Sequence, residues 1–268
     1  MFPRRRLPGP SQARCVENAY LLIDLSGQFV ILAEVMDVKL RTLPTQVAGV
    51  LVGRIVEGEF ADGLAPSEQQ IALEFSVSRA VAREALKILQ SLDMVDISQG
   101  RRVTLCPPAE WDYLSPLLVE WLPAAQIRRL LSELHEARLM FEPAIAAHAA
   151  CSLTEADLVH LRELVEAMPA LEHDPDRYLE LDLEFHMAIC RATHNRILGR
   201  FMYSSRCWQS ASRRITNQAP GALSRATERH RLIYEALAAR DPARAEAVMR
   251  MHLMKNTVFN SVEDSEPR

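Results

Sequence analysis

Apolar residues recur along this chain in two rhythms, and the change between them marks its organisation. Between 42 and 59, Val47, Val50, Leu51 and Ile55 return at three- and four-residue spacing, the period of one helix face, and Gly58 and Gly63 follow. A second short helix is predicted to begin at 66–68, where Ser67 stands three residues before Gln70, the spacing of a capping box. After a polar break at Ser76-Val77-Ser78, Ala82, Ala85, Leu86 and Leu89 mark the apolar face of a third helix. Arg79, Arg83 and Lys87 recur every fourth residue on a different face of it. The pattern then shortens to two brief apolar runs, Met94-Val95-Asp96-Ile97 and Val103-Thr104-Leu105, around a turn at Ser98-Gln99-Gly100, which predicts a β-hairpin with a basic tip. Two short helices joined by a tight turn and closed by a hairpin make a winged helix-turn-helix, whose second helix can enter a major groove of double-stranded DNA.

Cys106-Pro107-Pro108 lacks the donors to continue a strand or a helix, and a domain boundary is expected there. Beyond it the helical period is almost unbroken, over 110–122, 125–150, 154–168, 174–193, 196–215, 223–240 and 242–259. Ser152-Leu153-Thr154-Glu155 and Asp241-Pro242 read as starts and Thr193-His194-Asn195 as a break. No strand pattern interrupts this half. The expected fold is therefore mainly α, an N-terminal winged helix-turn-helix with a small β-hairpin followed by an all-α helical bundle. The expected divisions are an extension at 1–36, the DNA-binding module at 37–106, a linker with a short helix at 107–124, the bundle at 125–260 and a tail at 261–268.

Composition narrows the picture. With 268 residues, 49% hydrophobic and 25% charged, the chain can fill two ordinary cores. A net charge of −4 does not itself favour nucleic acid. From 37 to 106 eight Lys and Arg stand against nine Asp and Glu, so any positive field must be local, on the Arg79-Arg83-Lys87 face and at Arg101-Arg102. Five widely spaced cysteines without a C-x-x-C point to reduced thiols and a cytoplasmic protein. The apolar stretch at 20–35 is short and carries Asp24 and Glu34, so no membrane partner is expected.

In the second half, Asp182 and His186 are four residues apart on one helix face, His230 shares the face of Ala226, Ile233 and Leu237, and His252 that of Val248 and Met249. Any one of these histidines reads most simply as a satisfied core residue. Together, one carboxylate and three imidazoles suit a divalent transition ion, Zn²⁺, Ni²⁺ or Mn²⁺, with positions left for water or a ligand. Arg138 falls beside an inward stripe of Leu131, Leu134, Phe141 and Ile145. Two readings fit it: an intrahelical pair with Glu142, or a fork that grips an effector carboxylate.

The first module resembles that of the GntR family of bacterial transcription regulators. The resemblance rests on Pro66-Ser67-Glu68, Ile71-Ala72, Val77-Ser78-Arg79, Arg83-Glu84-Ala85-Leu86 and Gly100-Arg101. Gln69, Ser76 and Arg102 depart from the family's usual Arg, Gly and Gly. The second half, with D-x-x-x-H, then H, then M-x-x-H on the final helices, and including Ala192-Thr193-His194-Asn195, resembles the ligand-binding domain of the FadR branch. This resemblance implies DNA contacts from Ser67, Gln69, Ser78, Arg79, Ala80, Val81 and Arg83, with Gln99, Gly100 and Arg101 of the wing in the minor groove. It further implies Asp182, His186, His230 and His252 as metal ligands, Arg138 and Asn195 as effector contacts, and a small carboxylate effector. A homodimer on an inverted-repeat operator and a repressor's role complete the expectation. Trp111-x-x-Leu114-x-Pro116 followed by Trp121 resembles members that sense sugar acids such as galactonate. Such proteins start a few residues before their first helix, so Met36 is a candidate start, with a disordered tail at 1–35 as the alternative.

Two other readings stay open. A metallohydrolase could use an Asp/His site to activate water. However, His135-Glu136 is followed by Leu139 where a zincin has its second His, and no G-x-S-x-G is present. The other is a regulator acting as an activator, with a purely structural metal. The sequence favours no enzyme.

Overall fold

The computed structural model describes residues 42–98 and 102–255 and the backbone of 19–23 and 29–33. Helix α1 (Leu43–Val56) buries Val47, Ala48, Leu51, Val52 and Ile55. It packs on α3 (Arg79–Ser91), which buries Ala82, Ala85, Leu86 and Leu89. Between them lies α2 (Glu68–Glu74), opened by the expected capping box. Ser67 Oγ accepts from the Gln70 amide at 3.3 Å, and Gln70 Oε1 accepts from the Ser67 amide at 2.8 Å. A cap of this kind is worth about 1 kcal/mol. The α2 to α3 turn passes through Ser76 at φ +52°, left-handed backbone where a side chain is strained. Ser78 then caps α3 by accepting from the Val81 amide at 3.3 Å.

Strands β3 (Val95–Asp96) and β4 (Thr104–Leu105) pair antiparallel. The segment before α2 joins them, with the Leu105 amide donating to Gly63 O at 2.9 Å and the Ala65 amide to Val103 O at 3.0 Å. Gly63, at φ +73°, makes the turn that brings this third edge in. The proposed wing-tip residues Gln99, Gly100 and Arg101 lie outside the described residues.

The linker does not carry the single helix expected at 110–122. A 3-10 turn at Pro108–Glu110 is followed by extended backbone at Trp111, and α4 (Pro116–Trp121) is only six residues long. Pro116 sets its first turn, and Pro123 precedes the next helix. This linker is firmly docked. Trp111 Nε1 donates to Cys106 O at 3.0 Å and the Asp112 amide donates to Leu92 O at 2.9 Å. The Trp121 ring lies so close to Gly49 of α1 that a β-carbon there would sit 3.1 Å from its Nε1. One continuous core joins α1, α3, α4, Leu131 and Trp208.

The bundle is built on α5 (Ala124–Ser152), with α6 (Glu155–Ala167), α7 (Pro175–Arg191), α8 (Arg196–Ser204), α9 (Arg206–Thr216), α10 (Ala222–Ala238) and α11 (Pro242–Met254). The expected starts at Thr154 and Asp241 are side-chain caps. The stretch at 196–215 is divided rather than continuous, broken at Ser205, whose hydroxyl turns back to Met202 O at 3.0 Å. Helix α11 lies along α5 and α10. Its expected continuation to 259 passes beyond the described residues.

Within residues 1–41, β1 (Ala19–Ile23) and β2 (Phe29–Ala33) pair antiparallel, Ala19 opposite Ala33 and Ile23 opposite Phe29. This is the segment expected to be an extension, either upstream of a start at Met36 or a disordered tail. Two five-residue apolar runs, AYLLI and FVILA, supply the strands that a hairpin requires.

Candidate functional site

Helix α7 turns Leu179, Asp182, Leu183, His186 and Ile189 inward, so the polar pair is carried into the core by its apolar neighbours. Ile233 and Leu237 do the same for His230 on α10, and Met249 and Leu253 for His252 on α11. The result is a closed polar cluster. Asp182, His186, His230 and His252 are 5, 2, 0 and 1% exposed, and one donor atom from each lies within 4.8 Å of all the others. The three imidazole rings converge, His230 and His252 with centroids 4.6 Å apart and His186 and His252 5.2 Å apart. His230 Nε2 lies 3.0 Å, and His186 Nε2 3.4 Å, from Asp182 Oδ1.

The chemistry of this set fits a divalent ion. Burial lowers the pKa of His230, and lowers that of His252 well below the ordinary value, which keeps both rings neutral as metal ligands must be. Burial alone would raise the Asp182 carboxyl. The Arg213 guanidinium, with the neighbouring His186 and His230 rings, instead holds it well below the carboxylate range. Buried and without hydrogen-bond partners are His186 Nε2, His230 Nδ1 and Nε2, His252 Nδ1 and Asp182 Oδ1, an unusual concentration of unmet polar atoms for a core.

Around the four stands a second set. Glu142 of α5 faces His186, its Oε2 2.7 Å from Nδ1, while its Oε1 accepts from Arg138 Nε at 2.5 Å. Burial would raise the Glu142 carboxyl, but Arg138 and then His186 outweigh it and hold it low. That contact fixes the His186 tautomer, with the proton on Nδ1 and Nε2 turned to the other three residues. The two readings of Arg138 thus meet: it does pair with Glu142, and its Nη2 is still buried without a partner. Arg213 of α9, which the sequence reading missed, hydrogen-bonds Asp182 through Nε and Gln209 Oε1 through Nη1 at 3.2 Å. It is 4% exposed, and its Nη2 is likewise unpartnered. Its signal was present in the sequence, since Trp208, Ala211 and Ile215 place an apolar stripe beside it. His135, one turn before Arg138, also buries an unpartnered Nε2.

Asn195 does not join this group. It is exposed and its Oδ1 caps α8, accepting from the Ile197 and Leu198 amides at 3.0 and 3.2 Å, so its polar oxygen is committed to the backbone.

In the N-terminal module, Ser67, Gln69, Ser78, Arg79, Ala80 and Arg83 are exposed and Val81 partly so, on the outer side of α2 and α3. Arg83 is not loose. Glu68 clamps it from α2, Oε1 to Nε at 2.8 Å and Oε2 to Nη2 at 3.0 Å, which leaves one edge of the guanidinium for any other partner. Lys87 pairs with Glu84 at 2.9 Å.

A winged helix with an exposed cationic second helix, joined to a helical bundle with a polar interior, defines the class of DNA-binding transcription regulators. Residues 43–105 match the family model of bacterial regulatory proteins of the gntR family, and residues 133–255 match the FCD domain. The chain is 32% identical to the HTH-type transcriptional regulator LutR of Bacillus subtilis (strain 168) over 194 residues, 70% of this chain and 86% of that protein. It is 28% identical over 196 residues to the galactonate operon transcriptional repressor of Escherichia coli (strain K12), covering 72% and 86%. It is 29% identical over 210 residues to the Glc operon transcriptional activator of the same strain, covering 75% and 81%. The protein belongs to the GntR family of transcription regulators, with an FCD domain as its C-terminal half, and is not an enzyme. The solved structure of Lar, described as controlling expression of the Listeria monocytogenes agr system, shares the fold with a TM-score of 0.53 at 19% identity, over 81% of this chain and 96% of that one. Among the described residues no helix is long and apolar enough to cross a membrane.

Proposed function

We propose that this regulator is a cytoplasmic homodimer that represses its operon by binding an inverted-repeat operator, and that a small organic acid bound at a metal in the bundle releases it. The observation that carries this reading is the closed set of Asp182, His186, His230 and His252, with unmet buried polar atoms on every member and an unpartnered guanidinium tip at Arg138 beside it. Zn²⁺, Ni²⁺ or Mn²⁺ suits one carboxylate and three imidazoles. When bound, the ion supplies a Lewis-acidic anchor for an acid's oxygens. Arg138 supplies the directional donor, and Glu142 keeps His186 in the competent tautomer. One relative is named for a sugar-acid operon, galactonate, which fits an acidic effector.

On the DNA side, Arg79 and Arg83 are set to reach phosphates and base edges from α3, with Ser67, Gln69, Ser78, Ala80 and Val81 beside them. An acid that binds one arrangement of the bundle better than another shifts the population by that difference in affinity. The test is a gel-shift on the protein's own promoter with metal-loaded protein and candidate acids, galactonate, glycolate and lactate among them. Release by an acid, lost on His230→Ala and on Arg138→Gln, supports the reading. DNA binding indifferent to both metal and every acid refutes it. One relative is named an activator, and a reporter fused to the same promoter separates that second reading, since an activator's target loses expression on gene deletion.

A further inference from the structure

We infer that the acid accommodated in the bundle is a dianion, a short dicarboxylate whose two carboxylates are taken by Arg138 and Arg213. This rests on the metal-and-acid reading above and narrows it. The groups are arranged in a chain. Arg138 Nε donates to Glu142, Glu142 holds His186 Nδ1 at 2.7 Å, His186 Nε2 faces Asp182 Oδ1 at 3.4 Å, and Asp182 Oδ2 accepts from Arg213 Nε. Cation, anion, imidazole, anion and cation thus follow one another, and both guanidiniums lie at the ends. Arg138 is 3% exposed and Arg213 4%, and each ends in a buried Nη2 with no hydrogen-bond partner.

Charge decides what can be added to such an array. The two guanidiniums balance the two carboxylates, so a divalent ion leaves two positive charges in an interior closed to water. A buried charge is tolerated only when paired. A monocarboxylate meets one of the two. A dicarboxylate meets both, and gives each unpartnered Nη2 a carboxylate oxygen, the geometry for which a guanidinium fork is suited. Arg138 and Arg213 are like charges buried in one cluster and so repel one another. An anionic group at each tip relieves that repulsion. Gln209 Oε1, on the other edge of Arg213, orients the guanidinium and leaves Nη2 as the available corner.

The experiment is titration calorimetry on the full-length, metal-loaded protein with malonate, succinate and malate, against lactate and monomethyl succinate, with bound metal measured for every sample. The expected result is that the best diacid binds at least about tenfold tighter than its singly charged counterpart. In Arg213→Gln, compared at full metal occupancy, that gap between diacid and monoester closes, and Arg213→Lys recovers part of it. Equal affinity of succinate and its monoester, or lactate bound more tightly than every diacid, overturns the inference while leaving the metal-and-acid reading intact. Failure of every acid to bind metal-loaded protein overturns both. If Arg213→Gln loses its metal or fails to fold, the comparison of diacid with monoester on the unaltered protein decides the matter.

Discussion

Glu142 of α5 and His186 of α7 meet across the bundle with Oε2 and Nδ1 2.7 Å apart, and through this contact an arginine is tied to a metal-ligand candidate. Glu142→Gln keeps the shape but removes the charge that fixes the ring. Removal of such an outer partner typically weakens metal binding about 10- to 100-fold. Competition with a chromophoric chelator measures it, and an unchanged dissociation constant would reduce Glu142 to the partner of Arg138 alone. Because the substitution also unbalances a buried ion pair, a loss of up to about 3–5 kcal/mol in stability is expected alongside.

Removal of the metal should unmask the cost of the unmet atoms in the core. Protein dialysed against chelator is expected to melt several degrees lower, and stoichiometric Zn²⁺, Ni²⁺ or Mn²⁺ should restore the transition, since a ligand bound only to the folded state stabilises it. His230→Ala should bind no ion tightly and show no such recovery. A wild type that carries no metal and gains nothing from any of the three would leave four packed side chains and no site.

The clamp of Glu68 on Arg83 separates two roles for that arginine. Arg83→Ala should weaken operator binding by roughly 1–3 kcal/mol if the guanidinium reads a base, or change the salt slope by about one if it touches phosphate only. Glu68→Gln frees the guanidinium without removing its charge. Operator preference over random DNA should then fall while non-specific binding rises. Fluorescence anisotropy across a salt series distinguishes these, and identical curves for both variants would take Arg83 out of the interface.

Ser76 occupies left-handed backbone at φ +52°, where glycine carries no β-carbon penalty. Ser76→Gly is expected to stabilise the N-terminal module by up to about 1 kcal/mol, less the extra freedom gained by the unfolded chain. Urea denaturation reads this directly, and a destabilised variant would mean that the serine side chain contributes more than its backbone strain costs.

What could be read from the sequence divides along physical lines. Local periodicity carried the helices of both halves, the capping box at Ser67 and Gln70, and the inward facing of Asp182, His186, His230 and His252, because each depends on residues within one or two turns. Contacts between distant elements left no such trace. Arg213 reaches Asp182 across thirty-one positions and Glu142 reaches His186 across forty-four, so neither pairing could be seen before the helices were assembled. Breaks were legible where proline or a cap announces them and invisible at Ser205, where a hydroxyl turning back on its own helix does the work. Asn195 shows the converse: the motif position suggested an effector contact, while its side-chain oxygen caps the start of α8.

Helix α9 places Trp208 and Arg213 on one rigid rod of 11 residues. At one point the Trp208 indole donates to Tyr113 O at 2.5 Å, in the docked linker, and some five residues on, roughly 7.5 Å along the axis, Arg213 grips Asp182. A lever so short cannot bend between its two attachments. A tilt at the Asp182 end is therefore carried by the same rod to Tyr113, in the strap that shares one core with α1 and α3.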